Sequence, residues 1–216
     1  MDEPLDALNV LGDPTRRAAY DHVAAQGRPV GRDEVATALG IGRTLAAYHL
    51  DRLADEGLLT VAYARRSGRT GPGAGRPAKL YERSDREVAV SVPPRDYGLA
   101  ARLLAHAAAH DEDGATRRAL RGAAEALGRE IAATAPAPPD VGRLLRERGY
   151  EPYEDYAGVM RLRNCPFHAV AQSRPEVVCD MNLSLLSGLL DGLGAGGAEA
   201  ALDPGPGRCC VAIRRG

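Results

Sequence analysis

The chain has 216 residues, 44% of them hydrophobic, with 28 Lys and Arg against 29 Asp and Glu and a formal net charge of −1. It is long enough for one large domain or two small ones and too apolar to remain disordered. It shows no global basic signature of nucleic-acid binding, no run able to cross a bilayer and no signal-peptide start at Met1-Asp2-Glu3, so a cytoplasmic location is expected.

Lys79 is the only lysine, and the arginines sit in a chain rich in Ala, Gly and Pro. Arginine content alone therefore reflects a GC-rich composition, and only clustering of the arginines has meaning. With no Trp and one Phe, Leu, Val and Ala must fill the core.

In chain order, Asp13-Pro14 predicts a helix start, with an acceptor at the cap and proline at the first helical position. This helix should run to Gln26 and stop at Gly27. A second is predicted over residues 31–39, with Glu34 in its N-terminal turn, and a third over 43–56, closed by Gly57. Gly40-Ile41-Gly42 is the turn between them. Val35, Leu39, Ile41, Leu50 and Leu53 can converge there, with Ala46 allowing close approach, which is the pattern of a helix-turn-helix. Residues 58–66 and 79–83 read as the strands of a β-wing around the glycine-rich stretch 67–77.

Arg43, Thr44, Ala47 and Tyr48, with Gly42 and Asp51, fall on the face of the third helix opposite Leu50 and Leu53. In this motif the N-terminal part of that helix enters the major groove. Arg43 suits guanine edges, and Thr44 and Tyr48 suit phosphates or thymine methyls. The wing adds Arg65, Arg66, Arg69, Arg76 and Lys79, with no acidic residue from 65 to 79. Five such cations would neutralise phosphates or enter the minor groove. The plainer alternative is a solvated polar face and loop. His22 and His49 read as core or interface residues.

Residues 96–134 are alanine-rich and helical by pattern, as two helices broken near Gly114, with Leu99, Leu103, Leu104, Leu120, Leu127 and Ile131 as apolar positions. This stripe suits helix packing within the chain or across a dimer. The stiff linker at 135–140 is the expected domain boundary. Beyond it the order reads α-β-β-α-α-β-β: a helix at 141–148, strands near 150–153 and 159–163, a short helix, a long helix from Pro175, and strands near 198–202 and 210–214. The expected fold is α+β, with a winged helix-turn-helix at 1–92, a helical dimerisation segment at 93–135 and a mainly antiparallel sensor domain at 136–216.

All four cysteines lie in this last part. Cys165 and Cys179 have thirteen residues between them, and Cys179 and Cys209 have twenty-nine, unlike the short pairs of zinc ribbons or ferredoxins. Cys165 follows a strand at a proline turn, and Cys179 lies in the first turns of the helix from Pro175, where negative charge is favoured. Cys209 or Cys210 opens the last strand. Three elements can thus bring sulfur to one point. Cys209 is preferred over Cys210 because it shares the phase of Val211 and Ile213.

The residues Leu11-Gly12-Asp13-Pro14-Thr15-Arg16-Arg17, Thr44 through Leu53, and Gly75-Arg76-Pro77-Ala78-Lys79-Leu80-Tyr81 resemble winged-helix regulators of the ArsR and SufR type. Asn164-Cys165-Pro166-Phe167-His168, Pro175-Glu176-Val177-Val178-Cys179 and a cysteine near the C-terminus look like the SufR-type sensor domain, itself similar to domains of the 4-vinyl reductase type. The resemblance implies a homodimeric repressor binding double-stranded DNA and holding a [4Fe-4S] cluster that answers to redox, nitric oxide or iron–sulfur status. By position Cys165, Cys179 and Cys209 would be ligands, with His168, a carboxylate, Cys210 or an exogenous group on the fourth iron. The N-terminal metal-binding cysteines of many ArsR repressors are absent, and Ala169 stands where a Cys-x-x-x-Cys pair would place its second cysteine. Zinc through Cys165, His168, Cys179 and Cys209, a thiol–disulfide switch, and structural cysteines in a regulator of small organic ligands are the alternatives. No Ser/His/Asp arrangement, phosphate loop or HExxH motif is present to suggest an enzyme.

Overall fold

Local signals written in the sequence set most element boundaries. The computed structural model describes residues 3–64, 77–90 and 96–215. These form an α+β chain that divides into two units, residues 1–95 and 96–216.

The first unit contains α1 (Glu3–Val10), α2 (Pro14–Gln26), β1 (Val30–Gly31), α3 (Arg32–Leu39), α4 (Arg43–Asp55), β2 (Leu59–Ala64) and β3 (Ala78–Arg83). The Asp13 carboxylate accepts the Arg16 amide at 2.9 Å and Pro14 opens α2. Gly40 ends α3 at φ 65°, a left-handed conformation that glycine adopts without a Cβ clash. Ile41 then donates to the Ala36 carbonyl at 3.0 Å, closing the turn into α4. Val35, Ala46, Leu50 and Leu53 are fully buried, with Leu39 and Ile41 packed at the edge.

The three strands pair antiparallel in the order β1-β3-β2. β2 and β3 run in register from Leu59 opposite Arg83 to Ala64 opposite Ala78. α1 and β1 lie outside the sequence expectation. Among its described side chains α1 buries Ala7 and Val10 while leaving Leu5 and Leu8 exposed, so its apolar pattern is diluted. β1 is two residues long, too short for periodicity to register.

The second unit contains α5 (Tyr97–Ala109), α6 (Ala115–Ala133), α7 (Val141–Glu147), β4 (Pro152–Glu154), β5 (Met160–Leu162), α8 (His168–Ala171), α9 (Pro175–Gly192), β6 (Ala198–Leu202) and β7 (Val211–Arg215). Its strands form an antiparallel sheet in the order β4-β5-β7-β6. The expected boundary at 135–140 does not separate compact bodies, and residues 93–135 are not a domain of their own. α5 and α6 belong to this unit because α6 packs directly on α9.

Glycines permit that approach. A Cβ on Gly128 would strike the Leu185 carbonyl oxygen and stand 2.6 Å from the Leu189 nitrogen, and one on Gly188 would strike the Glu125 carbonyl oxygen. Leu144 and Leu145 of α7, Leu186 and Leu189 of α9, Leu162, Val211 and Ile213 of the sheet, and Tyr150 and Cys209 pack into one buried core. Tyr150 precedes β4 rather than opening a strand. No described helix is long and apolar enough to cross a membrane.

Candidate functional site

In the first unit the face of α4 opposite the core is open to solvent. Arg43, Thr44 and Tyr48 are exposed there, Tyr48 at 54%, while Ala47 and Asp51 are half-buried. The α4 residues proposed for DNA contact are thus gathered on one side of one helix, because positions 43, 44, 47, 48 and 51 repeat with its turn. His49 is buried, as its expected core role requires.

Two carboxylates modify this face. Arg43 Nε pairs with Asp33 Oδ1 of α3 at 2.5 Å. Lys79 Nζ on β3 donates to Asp51 Oδ1 at 2.5 Å, and the Tyr81 hydroxyl donates to the same oxygen at 2.7 Å. Lys79 also stands 5.3 Å from the centre of the Tyr81 ring. The charge of Lys79 is therefore met on α4, and the pair ties the loop-proximal end of the β2–β3 ladder to that helix. Burial alone would raise the Asp51 carboxyl, but the bonds from Lys79 and Tyr81 outweigh it and hold the group below the usual carboxylate range. Burial and the same Asp51 bond push the Tyr81 phenol up. Arg65, Arg66, Arg69 and Arg76 lie outside the described residues.

In the second unit three elements supply four free thiols. Cys165 follows β5 in a turn closed by His168 N–H donating to the Cys165 carbonyl at 3.0 Å, and the Asn164 side chain ties that turn to the Gly149 carbonyl at 2.6 Å. Cys179 sits in the second turn of α9. Cys209 and Cys210 directly precede β7, and the Cys209 amide donates to the Leu162 carbonyl at 2.8 Å, fixing them beside the end of β5. Cys209 is buried and the other three are half-buried.

The thiols influence one another. Hydrogen bonding from Cys165 and Cys210 draws negative charge onto Cys209, pulling its thiol well below the ordinary range. Sharing with Cys209, together with burial, pushes Cys165 and Cys210 up, and Cys210 also interacts with Cys179. His168 is exposed on α8, with Nε2 2.9 Å from the Gln172 amide nitrogen at the end of the same helix.

Among the described residues no three His, Cys, Asp or Glu side chains already surround a point as they would a bound ion. The thiols are thus a linked set rather than a finished cage. Their chemistry suits a soft metal or an iron–sulfur cluster: four sulfurs, three of them reachable from solvent, on three separate elements. Cys165, Cys179, Cys209 and Cys210 are the residues that would hold such a group.

Two residues at this site escaped the sequence reading. Asn182, one turn beyond Cys179, is wholly buried and donates to Cys209 Sγ at 3.3 Å, and Tyr150 donates to Asn182 Oδ1 at 2.5 Å. The available signal was an asparagine in phase with Val178, Leu186 and Leu189 on an otherwise apolar helix face. No family model, curated protein or solved structure matches this chain.

Proposed function

We propose that the chain is a homodimeric winged helix-turn-helix transcriptional regulator, acting as a repressor, whose operator binding is controlled by an iron–sulfur cluster of the [4Fe-4S] kind. The observation that carries this reading is the co-occurrence of two features. The exposed face of α4 bears Arg43, Thr44 and Tyr48 beside an antiparallel hairpin, and the other unit carries four free thiols on the β5 turn, α9 and the start of β7, with the Cys209 amide bonded to the end of β5. The motifs shared with SufR-like regulators support the same pairing.

On this reading α4 enters the major groove, where Arg43 reads a base edge and Thr44 and Tyr48 hold the register. Arg65, Arg66, Arg69 and Arg76 contribute phosphate contacts, whereas Lys79 acts mainly by bracing the hairpin. Cys165, Cys179 and Cys209 hold the cluster, and Cys210 is preferred to His168 as fourth ligand because it adjoins Cys209, whereas His168 is exposed and set against Gln172. When bound, the cluster supplies a redox- and nitric-oxide-sensitive group.

The test uses full-length protein purified anaerobically from iron-replete cells and an operator selected from random duplexes. The expected protein is brown, contains iron and sulfide, and loses both on Cys179→Ser. Arg43→Ala should weaken selected duplexes relative to random ones by about 1–3 kcal/mol. Replacing Arg65, Arg66 and Arg69 should weaken all duplexes and flatten the salt dependence by roughly one counterion per residue. Unchanged binding after both sets of replacements removes the DNA-binding assignment. A colourless, metal-free protein favours a regulator of a small organic ligand, and zinc in place of iron identifies the other metal reading.

A further inference from the structure

The sulfur set has a buried support that the cysteine pattern does not announce. Asn182 is 0% exposed on the face of α9 that also buries Val178, Leu186 and Leu189. An amide in such a place costs free energy unless its atoms are bonded. Here both ends are bonded: the Tyr150 hydroxyl donates to Oδ1 at 2.5 Å, and Nδ2 donates to Cys209 Sγ at 3.3 Å. Tyr150 is 2% exposed and Cys209 4%, so the whole Tyr150–Asn182–Cys209 chain runs through the interior.

The order of donors gives this chain its direction. A phenol that donates to the amide oxygen leaves the NH2 end for the sulfur, and an amide NH2 is a donor only. Cys209 therefore accepts at its sulfur, and that bond points the sulfur toward Asn182. Its backbone is already fixed by the bond from its amide to the Leu162 carbonyl at 2.8 Å. What remains free is rotation of the side chain, and the Asn182 bond restrains that rotation. Packing alone gives no reason for the arrangement, since a leucine at 182 and a phenylalanine at 150 would leave no polar atom to satisfy.

We propose that Asn182, oriented by Tyr150, is the positioning residue of the sulfur site, fixing the orientation of the Cys209 sulfur as a ligand. This rests on the reading of the four thiols as a metal-binding set. It parallels the outer-shell bonds that orient ligands at metal centres generally.

The test is an anaerobic titration of cobalt(II) into the reduced, metal-free full-length protein, followed by the thiolate-to-cobalt charge-transfer absorption. The wild type is expected to develop the band. In the Asn182→Leu/Tyr150→Phe double variant both polar partners are replaced together, so the fold should survive, as its thermal midpoint will report. Cobalt should bind this variant roughly 10–100-fold more weakly, with the band moved to longer wavelength because the sulfur has lost its N–H donor. Tyr150→Phe alone removes one hydroxyl and should give an intermediate shift, which carries the comparison where the double variant is less stable. Leu186→Ala, a cavity at the same helix face, should lower the thermal midpoint and leave the band in place. Unmoved band and affinity in both Asn182→Leu/Tyr150→Phe and Tyr150→Phe overturn the role of Asn182 while leaving the thiol site standing. Absence of any cobalt band in the wild type overturns the thiol site, and the inference falls with it.

Discussion

Asp51 shows how one side chain couples two elements. Its Oδ1 receives both Lys79 Nζ at 2.5 Å and the Tyr81 hydroxyl at 2.7 Å, so α4 and β3 share a single acceptor. Tyr81 is 2% exposed, and Asp51→Ala would leave its buried hydroxyl without that partner. Such a loss costs about 1–3 kcal/mol, to be read from the urea midpoint. The pH dependence follows from the same bonds. A carboxyl held below its ordinary value contributes fully above the usual carboxylate range, near pH 4, and loses its contribution as pH falls through the lower folded value. Wild-type stability should therefore fall in acid more steeply than that of Asp51→Asn. Equal acid slopes in the two proteins would remove Asp51 from the pH response. The sequence placed Asp51 on the outward face of its helix but did not disclose its partners, because they come from a strand 28 and 30 residues further on.

At the scale of elements, the crossing of α6 and α9 is the feature least visible beforehand. Helix starts were legible because they are local: Asp13 before Pro14, Asp96 capping the Leu99 amide at 2.6 Å and Asp140 capping the Arg143 amide at 3.1 Å. Gly128 and Gly188, read in isolation, only weaken their helices. Their role appears when the two backbones meet, since the atoms that a Cβ would strike belong to the other helix. For that reason the proline-rich stretch after Ala133 looked like a domain boundary although the helix before it packs within the second unit. The cysteines were legible as a group because they occupy three predicted elements, whereas Asn182 resembled one more residue of a long helix. The contrast between two glycines tests this account. Gly188→Ala should destabilise by about 1–3 kcal/mol or more, because backbone must move. Gly122→Ala, at an exposed α6 position with nothing within 4 Å of the added Cβ, should stabilise by roughly 0.5–1 kcal/mol. A tolerated Gly188→Ala in chemical unfolding would mean that the helices do not cross where described.

At the scale of the whole molecule, a net charge of −1 leaves DNA attraction to a local patch, and the proposed regulator needs a second copy to read two half-sites. α5 offers a face for that copy. Its sequence is apolar nearly all round, a pattern expected of a buried helix, yet only Ala105 and Ala108 are buried. Tyr97, Leu103 and Leu104 are 75%, 62% and 73% exposed, and Leu127 on α6 is half exposed. With Leu99, also exposed, four large apolar side chains left in water on one short helix would be covered by association, at roughly 25 cal/mol per Å² of apolar surface removed from solvent. The expected species in sedimentation is therefore twice the chain mass of 22.8 kDa. Leu103→Glu with Leu104→Glu should reduce it to the single-chain mass without lowering helix content, since both positions are exposed in the isolated chain. The same variant should lose cooperative occupation of a two-half-site operator while still binding an isolated half-site weakly. A wild-type protein that sediments as a monomer at micromolar concentration would place dimerisation elsewhere or remove it, and operator recognition would then have to come from one α4 and one hairpin alone.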